Sequence, residues 1–85
     1  RRNHPVAREF ARILNNYRRR KRLSIPEVAE QSTVPERDIR RFEKGTHAPD
    51  IDELFKLAAV YGVEAWKIMK RIRAFTLRLE REAAT

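Results

Sequence analysis

Apolar residues recur in this chain at intervals of three and four, in short segments that each end or begin on a helix-stopping residue. In PVAREFARILNNYRRR, the residues Val6, Phe10, Ile13, Leu14 and Tyr17 share one helical face, with Pro5 in the opening turn. LSIPEVAEQ begins with Ser24, and Glu27 follows three residues later, the reciprocal pair of a capping box. Pro26 falls in the first turn, where its missing N–H costs little, and Ile25, Val28 and Ala29 face inward. A third helix is expected from about Pro35 to Lys44, stopped by Gly45. A fourth opens on the cap pair Asp50 and Glu53, runs an apolar stripe through Ile51, Leu54, Leu57 and Ala58, and ends at Gly62. No segment alternates apolar and polar residues with period two, so a sheet has no material.

The last helix, from about Glu64, places Ala65, Ile68, Ile72, Phe75 and Leu79 down one side, with Trp66, Met69 and Leu77 widening that surface. Ile68 should complete the core, with Trp66 as a further candidate. The stripe then continues beyond Lys70, further than one small core needs. Two readings compete for it: a helix folding back on its own domain, or a dimer seam of Ile72, Phe75 and Leu79 in residues 71–85. The second is favoured, because a twofold protein matches a palindromic site. Eighty-five residues support one domain with a modest core, here an all-α, compact five-helix unit spanning 1–85 with an extended C-terminal helix.

The third helix is unusual in what it collects. Arg37, Arg40, Arg41 and Lys44 are spaced i, i+3, i+4, i+7, as core residues usually are, yet all four are cations. Like charges four apart cost a helix roughly 0.2–0.5 kcal/mol per pair. Ile39 and Phe42 point the opposite way, so one side anchors the helix while the other is presented. A short capped helix joined by a tight turn to a helix with a basic face describes a helix-turn-helix, and an anionic duplex would relieve the repulsion. The plainer account is a solvated face in which Glu36 pairs with Arg40.

Charge elsewhere favours the first account. The net charge is +8, and residues 1–22 hold nine cations against one acid. Residues 23–64 are net acidic, and residues 65–85 basic again. Such a chain suits nucleic acid or an anionic membrane surface. The run RRRKR at 18–22 suits a helix C-terminus and offers phosphate contacts, Arg22 among them. The leading residues 1–4 read as a disordered arm.

Other chemistries find little support. There is no cysteine, and His4 and His47 lack ligand spacing, so no metal or cofactor is expected. The serines and threonines occupy caps and turns with no His–acid pair beside them, so no catalysis is expected. No run reaches the ~18 apolar residues of a membrane span and no signal-peptide pattern is visible; the lack of cysteine permits a reducing cytosol, and a cytoplasmic place is the expectation. No small-molecule pocket is legible. The chain begins with Arg1 and reads as a piece of a longer one.

LSIPEVAEQSTVPERDIRRFEKGTHAPDIDELFKLAAVYGV resembles the lambda-repressor-like, Cro and XRE-type helix-turn-helix family. The carrying positions are Leu23-Ser24, Val28-Ala29, Val34-Pro35, Ile39, Glu43-Lys44-Gly45, Pro49, Leu54 to Ala58, and Gly62-Val63. The resemblance implies a DNA-binding regulator, a repressor of bacterial or phage kind, working as a homodimer on double-stranded DNA. By position, Glu36, Arg37, Arg40 and Arg41 would face bases in the major groove. Ser24 and Ile25 would clamp a phosphate at a helix N-terminus, and Lys44, Thr46 and His47 would touch the backbone again. Arg18 matches a basic residue that pairs with the acid at Glu43, and is also placed to reach phosphate.

Three positions depart from the family pattern. Ile25 stands where Gln is common, Thr33 replaces a turn glycine, and Pro35 replaces a capping Ser or Thr. Thr33 implies a turn of different shape, because a β-branched residue resists positive φ. Two other classes of function remain in view. One is an antitoxin-like interaction module using the C-terminal helix, and the other a basic helical domain on anionic lipid.

Overall fold

The structure, a computed structural model, describes residues 4–84. The expected arm at 1–4 lies outside this range except for the exposed His4. Five helices follow one another: α1 (Pro5–Lys21), α2 (Ile25–Ser32), α3 (Glu36–Lys44), α4 (Ile51–Tyr61) and α5 (Ala65–Ala84). No strand occurs among the described residues.

The caps explain these lengths. Ser24 Oγ accepts from Glu27 N at 3.2 Å while the Glu27 carboxylate accepts from Ser24 N at 2.7 Å. Asp50 and Glu53 repeat the exchange at the head of α4, both bonds 2.8 Å. At the other ends, α1 to α4 each stop on a left-handed residue: Arg22, Thr33, Gly45 and Gly62. Their N–H groups turn back to the last carbonyls of the helix, which satisfies acceptors that would otherwise be orphaned.

The core is one cluster. Ile13, Leu14, Val28, Ile39, Leu54, Leu57 and Ile68 are all but inaccessible, and Phe10, Val34, Phe42, Tyr61 and Ile72 surround them. Each fully buried side chain of this kind contributes about 1.5–3 kcal/mol of transfer free energy. α1 is the central element. It packs most extensively on α3, and also on α5 and α4, while α2 bridges α3 and α4. Ala7 and Ala11 are buried on α1 beside the larger residues, letting neighbouring helices come close.

Two expectations about the apolar stripes are corrected here. Ile72 is not available to a dimer seam, because it is 6% exposed and belongs to the core. Phe75 and Leu79 are half-buried on the same side of α5. Of the stripe, Ile72 alone joins the core cluster. Glu9 on α1 has its carboxyl held below the usual range by Arg12, with Arg71 and Arg78 of α5 adding to the effect against the opposing cost of burial. Ile51 and Trp66, in contrast, stand 59% and 55% exposed and are not core residues.

Candidate nucleic-acid interface

α3 is built to show one side. Ile39 and Phe42 are sunk in the core at 1% and 4% exposure, whereas Arg37, Arg40, Arg41 and Lys44 are all exposed. Glu36 joins the four cations in lining one shallow trough along the outer surface of the helix. Pro35 gives no side-chain cap. Glu36 and Asp38 instead place negative charge in the first turn, which the helix dipole favours.

The inner flank is braced by a polar cluster. Arg18 of α1 reaches Glu43 through Nε at 2.8 Å and Nη2 at 2.9 Å, and its Nη1 donates to the Leu23 carbonyl at 2.9 Å. Asn15 Nδ2 donates to the same carboxylate at 2.8 Å. The guanidinium's already high pKa is raised further by the Glu43 carboxylate. Three donors of Arg18 thus point into the protein and its side chain is only 17% exposed, so it acts as an internal tie between helices rather than as an outward phosphate contact. Asn15 was not legible in advance, since a single polar residue on an amphipathic helix gives no sign of its partner.

The α2–α3 turn keeps its left-handed shape without glycine. Thr33 adopts φ 64° and ψ 11°, against the expectation of a differently shaped turn. Buried Ser32 accepts from Val34 N at 3.1 Å through its hydroxyl, and Val34 drops into the core at 2% exposure. Together they hold Thr33 in a conformation that a β-branched residue resists.

The outer face is not purely cationic. Arg40 donates to Glu36 at 3.1 Å through Nε and at 2.5 Å through Nη2, and Asp38 lies 3.9 Å from Arg41 and 4.0 Å from Arg37. The solvated-face account is correct for Glu36–Arg40 as a contact. These pairs are exposed and stabilise by about 0–1 kcal/mol, weak enough to be exchanged for other partners. The i, i+3 spacing of Asp38 and Arg41 is the sequence signal for this contact.

The match of a family model described as a helix-turn-helix domain extends over residues 9–65. The chain belongs to the helix-turn-helix domain family. This membership accords with the lambda-repressor-like, XRE-type resemblance, and the family is one of DNA binding and transcription regulation that is typically non-enzymatic. The matched span takes in α2 and α3 entire and ends at Ala65, so nearly all of α5 lies beyond it. No curated protein matches the chain.

The remaining residues of the helix-turn-helix site fall around α3 as follows. The head of α2 offers fewer free donors than its cap suggests. Glu27 occupies the Ser24 N–H, Ser24 Oγ occupies the Glu27 N–H, and Pro26 has none, which leaves Ile25. The Ile25 side chain is partly buried and packs against the core. Lys44 is exposed at the end of α3. Thr46 donates to the Arg41 carbonyl at 3.3 Å and lies 2.9 Å from His47 Nδ1, both on the exposed loop after α3. Arg22 is exposed at the left-handed end of α1. Among the described residues there is no group of acids and histidines that could hold a metal, and no helix is long and apolar enough to cross a membrane.

Proposed function

We propose that this helix-turn-helix domain binds double-stranded DNA sequence-specifically as a transcriptional repressor, with α3 lying in the major groove. The observation that carries the reading is the division of α3 into a buried apolar flank, Ile39 and Phe42, and an exposed flank of four cations. Arg37 and Arg41 are assigned to bases, since guanidinium forks fit guanine O6 and N7. Glu36 can accept from the cytosine amino group once Arg40 leaves it, and Arg40 then turns to a base edge or a phosphate. Lys44, Arg22, Thr46, His47 and the free N–H of Ile25 are assigned to phosphates, which set register without reading sequence.

The carboxylates of Glu36 and Asp38 serve this function. They repel phosphate, so a wrong sequence leaves two acids close to the duplex with nothing gained in return. The domain works in the cytoplasm of a bacterial cell, as a homodimer on a twofold site.

Selection from a pool of random duplexes at fixed salt tests the proposal. Enrichment of a short shared motif, present as an inverted repeat, is the expected result. A pool that stays random while the protein still binds all duplexes alike overturns sequence-specific reading.

A further inference from the structure

The reading of α3 leaves the positive charge of α5 unused. Residues 65–85 hold six lysines and arginines against two acids, and nearly all of α5 lies beyond the span that the family model matches. On α5, Lys67, Arg71, Ala74 and Arg78 recur at i, i+4, i+7 and i+11, so they share one stripe, and all four are exposed. On α1, Glu9, Arg12, Asn16 and Arg20 recur at i, i+3, i+7 and i+11, and the last three are exposed.

The two stripes border each other, because α1 packs on α5 and runs antiparallel to it. Lys21, at the end of α1, has its Nζ 3.5 Å from the place of a Cβ on Gly62, just before α5 begins. Glu9, near the start of α1, lies in the field of Arg71 and Arg78 and is paired with Arg12. The border thus gathers Arg12, Arg20, Lys67, Arg71 and Arg78, with Glu9 the one acid of the two stripes. Glu82, one turn past Arg78, marks its end.

We propose that this ridge holds a second segment of DNA by its phosphates while α3 holds the first. Lys67 to Arg78 spans ~16 Å at a rise of ~1.5 Å per residue, the axial length of about five phosphates on one strand. Arg20 lies 5.5 Å from the Tyr17 ring and Arg78 5.5 Å from the Phe75 ring. Such contacts use the flat face of a guanidinium and steady a long side chain, and the N–H donors at its edge can still meet phosphate oxygens. The Asn16 amide adds a neutral donor of a kind common in phosphate contacts. Neither stripe includes a large apolar side chain, which a helix lying on lipid needs for insertion. The ridge therefore suits a duplex better than an anionic membrane.

α1 stands between the ridge and the recognition helix, since α3 packs on α1 and α2 while α5 packs on α1 and α4. The two segments accordingly approach different sides of the domain. Once α3 holds one segment, other stretches of the same DNA come within reach at high effective concentration. Phosphate contacts carry no sequence information, so the second segment is of any sequence. Joining two stretches of DNA goes beyond reading one site, and the two can fail separately.

The test immobilises a duplex carrying the selected motif, saturates it with the full chain, and adds a fluorescent duplex of unrelated sequence across a range of salt. Capture of the second duplex, weakening steeply as salt rises, is the expected result. Arg71→Gln combined with Arg78→Gln should flatten the slope of log capture affinity against log salt by roughly two. Affinity for the immobilised motif and thermal unfolding should stay those of the parent, because both side chains are exposed. Arg71→Lys combined with Arg78→Lys, which keeps the charge, should restore the slope. No capture at low salt, or capture that the double glutamine variant retains in full, overturns the proposal and leaves the α3 reading standing. So do phosphatidylserine vesicles that displace the second duplex at equal phosphate concentration. Capture by a chain that prefers no duplex supports the ridge and overturns sequence reading by α3.

Discussion

Arg18 of α1 and Glu43 of α3 form a two-pronged ion pair, Nε to Oε2 at 2.8 Å and Nη2 to Oε1 at 2.9 Å, directly beneath the exposed flank of α3. The Glu43 side chain is 8% exposed, so its charge depends on Arg18 and on the Asn15 amide for compensation. The pair fixes how α3 is turned about its own axis. That rotation decides which of its residues face out.

Removing one member should therefore cost more than removing both. Arg18→Met leaves Glu43 charged and largely buried, and should destabilise by about 3–5 kcal/mol. The double variant Arg18→Met with Glu43→Leu should recover much of that loss. Urea unfolding of the parent, both single variants and the double variant gives the coupling. A near-additive cycle would show that the two charges act independently.

The left-handed caps give a graded series. A Cβ on Gly45, at φ 81°, would stand 2.8 Å from Arg8 Cγ and 3.3 Å from Arg8 Cα, where α1 passes closest. A Cβ on Gly62, at φ 72°, meets nothing nearer than Lys21 Nζ at 3.5 Å. Gly62→Ala should cost ~1–2 kcal/mol from backbone strain alone, and Gly45→Ala more. Thr33→Gly should go the other way, gaining up to about 1 kcal/mol, because glycine holds φ 64° without penalty. Melting temperatures of the three variants check the order, and DNA affinity of Thr33→Gly should stay unchanged.

Tyr61 is 3% exposed, stacks on Tyr17 with ring centroids 6.2 Å apart, and has no hydrogen-bond partner for its hydroxyl among the described residues. Burial pushes this phenol well above its ordinary range, the Glu43 carboxylate adds to the shift, and Arg18 opposes it. Tyr61→Phe should be neutral or stabilising by up to about 1 kcal/mol at pH 7, since an unsatisfied buried group is removed. The raised pKa means that the folded chain keeps a proton which the unfolded chain loses above about pH 10. The parent should accordingly lose stability as pH rises through that range, and Tyr61→Phe should lose less. Chemical unfolding at pH 8 and pH 11 measures both.

How much of this was legible follows a physical line. Caps are local, so Ser24–Glu27, Asp50–Glu53, Gly45 and Gly62 announced the helix ends. The orientation of α3 was legible because its two kinds of residue could hardly exchange places: Ile39 and Phe42 must bury and four cations must not. The outer stripes of α4 and α5 were harder. Periodicity shows that Ile51 and Ile72 lie on apolar faces, but it gives no neighbour. Ile51 proved exposed and Ile72 buried because α5 leans on α1 and leaves one edge of α4 uncovered. Thr33 was misjudged for a related reason. Local preference opposed a left-handed residue, and the burial of Val34 and the Ser32 hydroxyl bond outweighed it.

The central claim is that the outward cations of α3 divide into base readers and phosphate holders. Fluorescence anisotropy on the preferred duplex and on a scrambled one, each across a range of salt, tests it most directly. Arg37→Ala and Arg41→Ala should each lose about 1–3 kcal/mol on the preferred duplex and far less on the scrambled one. Lys44→Ala should weaken both alike and flatten the slope of log affinity against log salt by roughly one. Arginine variants that bind the preferred duplex as tightly as the parent, or that lose equally on both duplexes, would contradict the account.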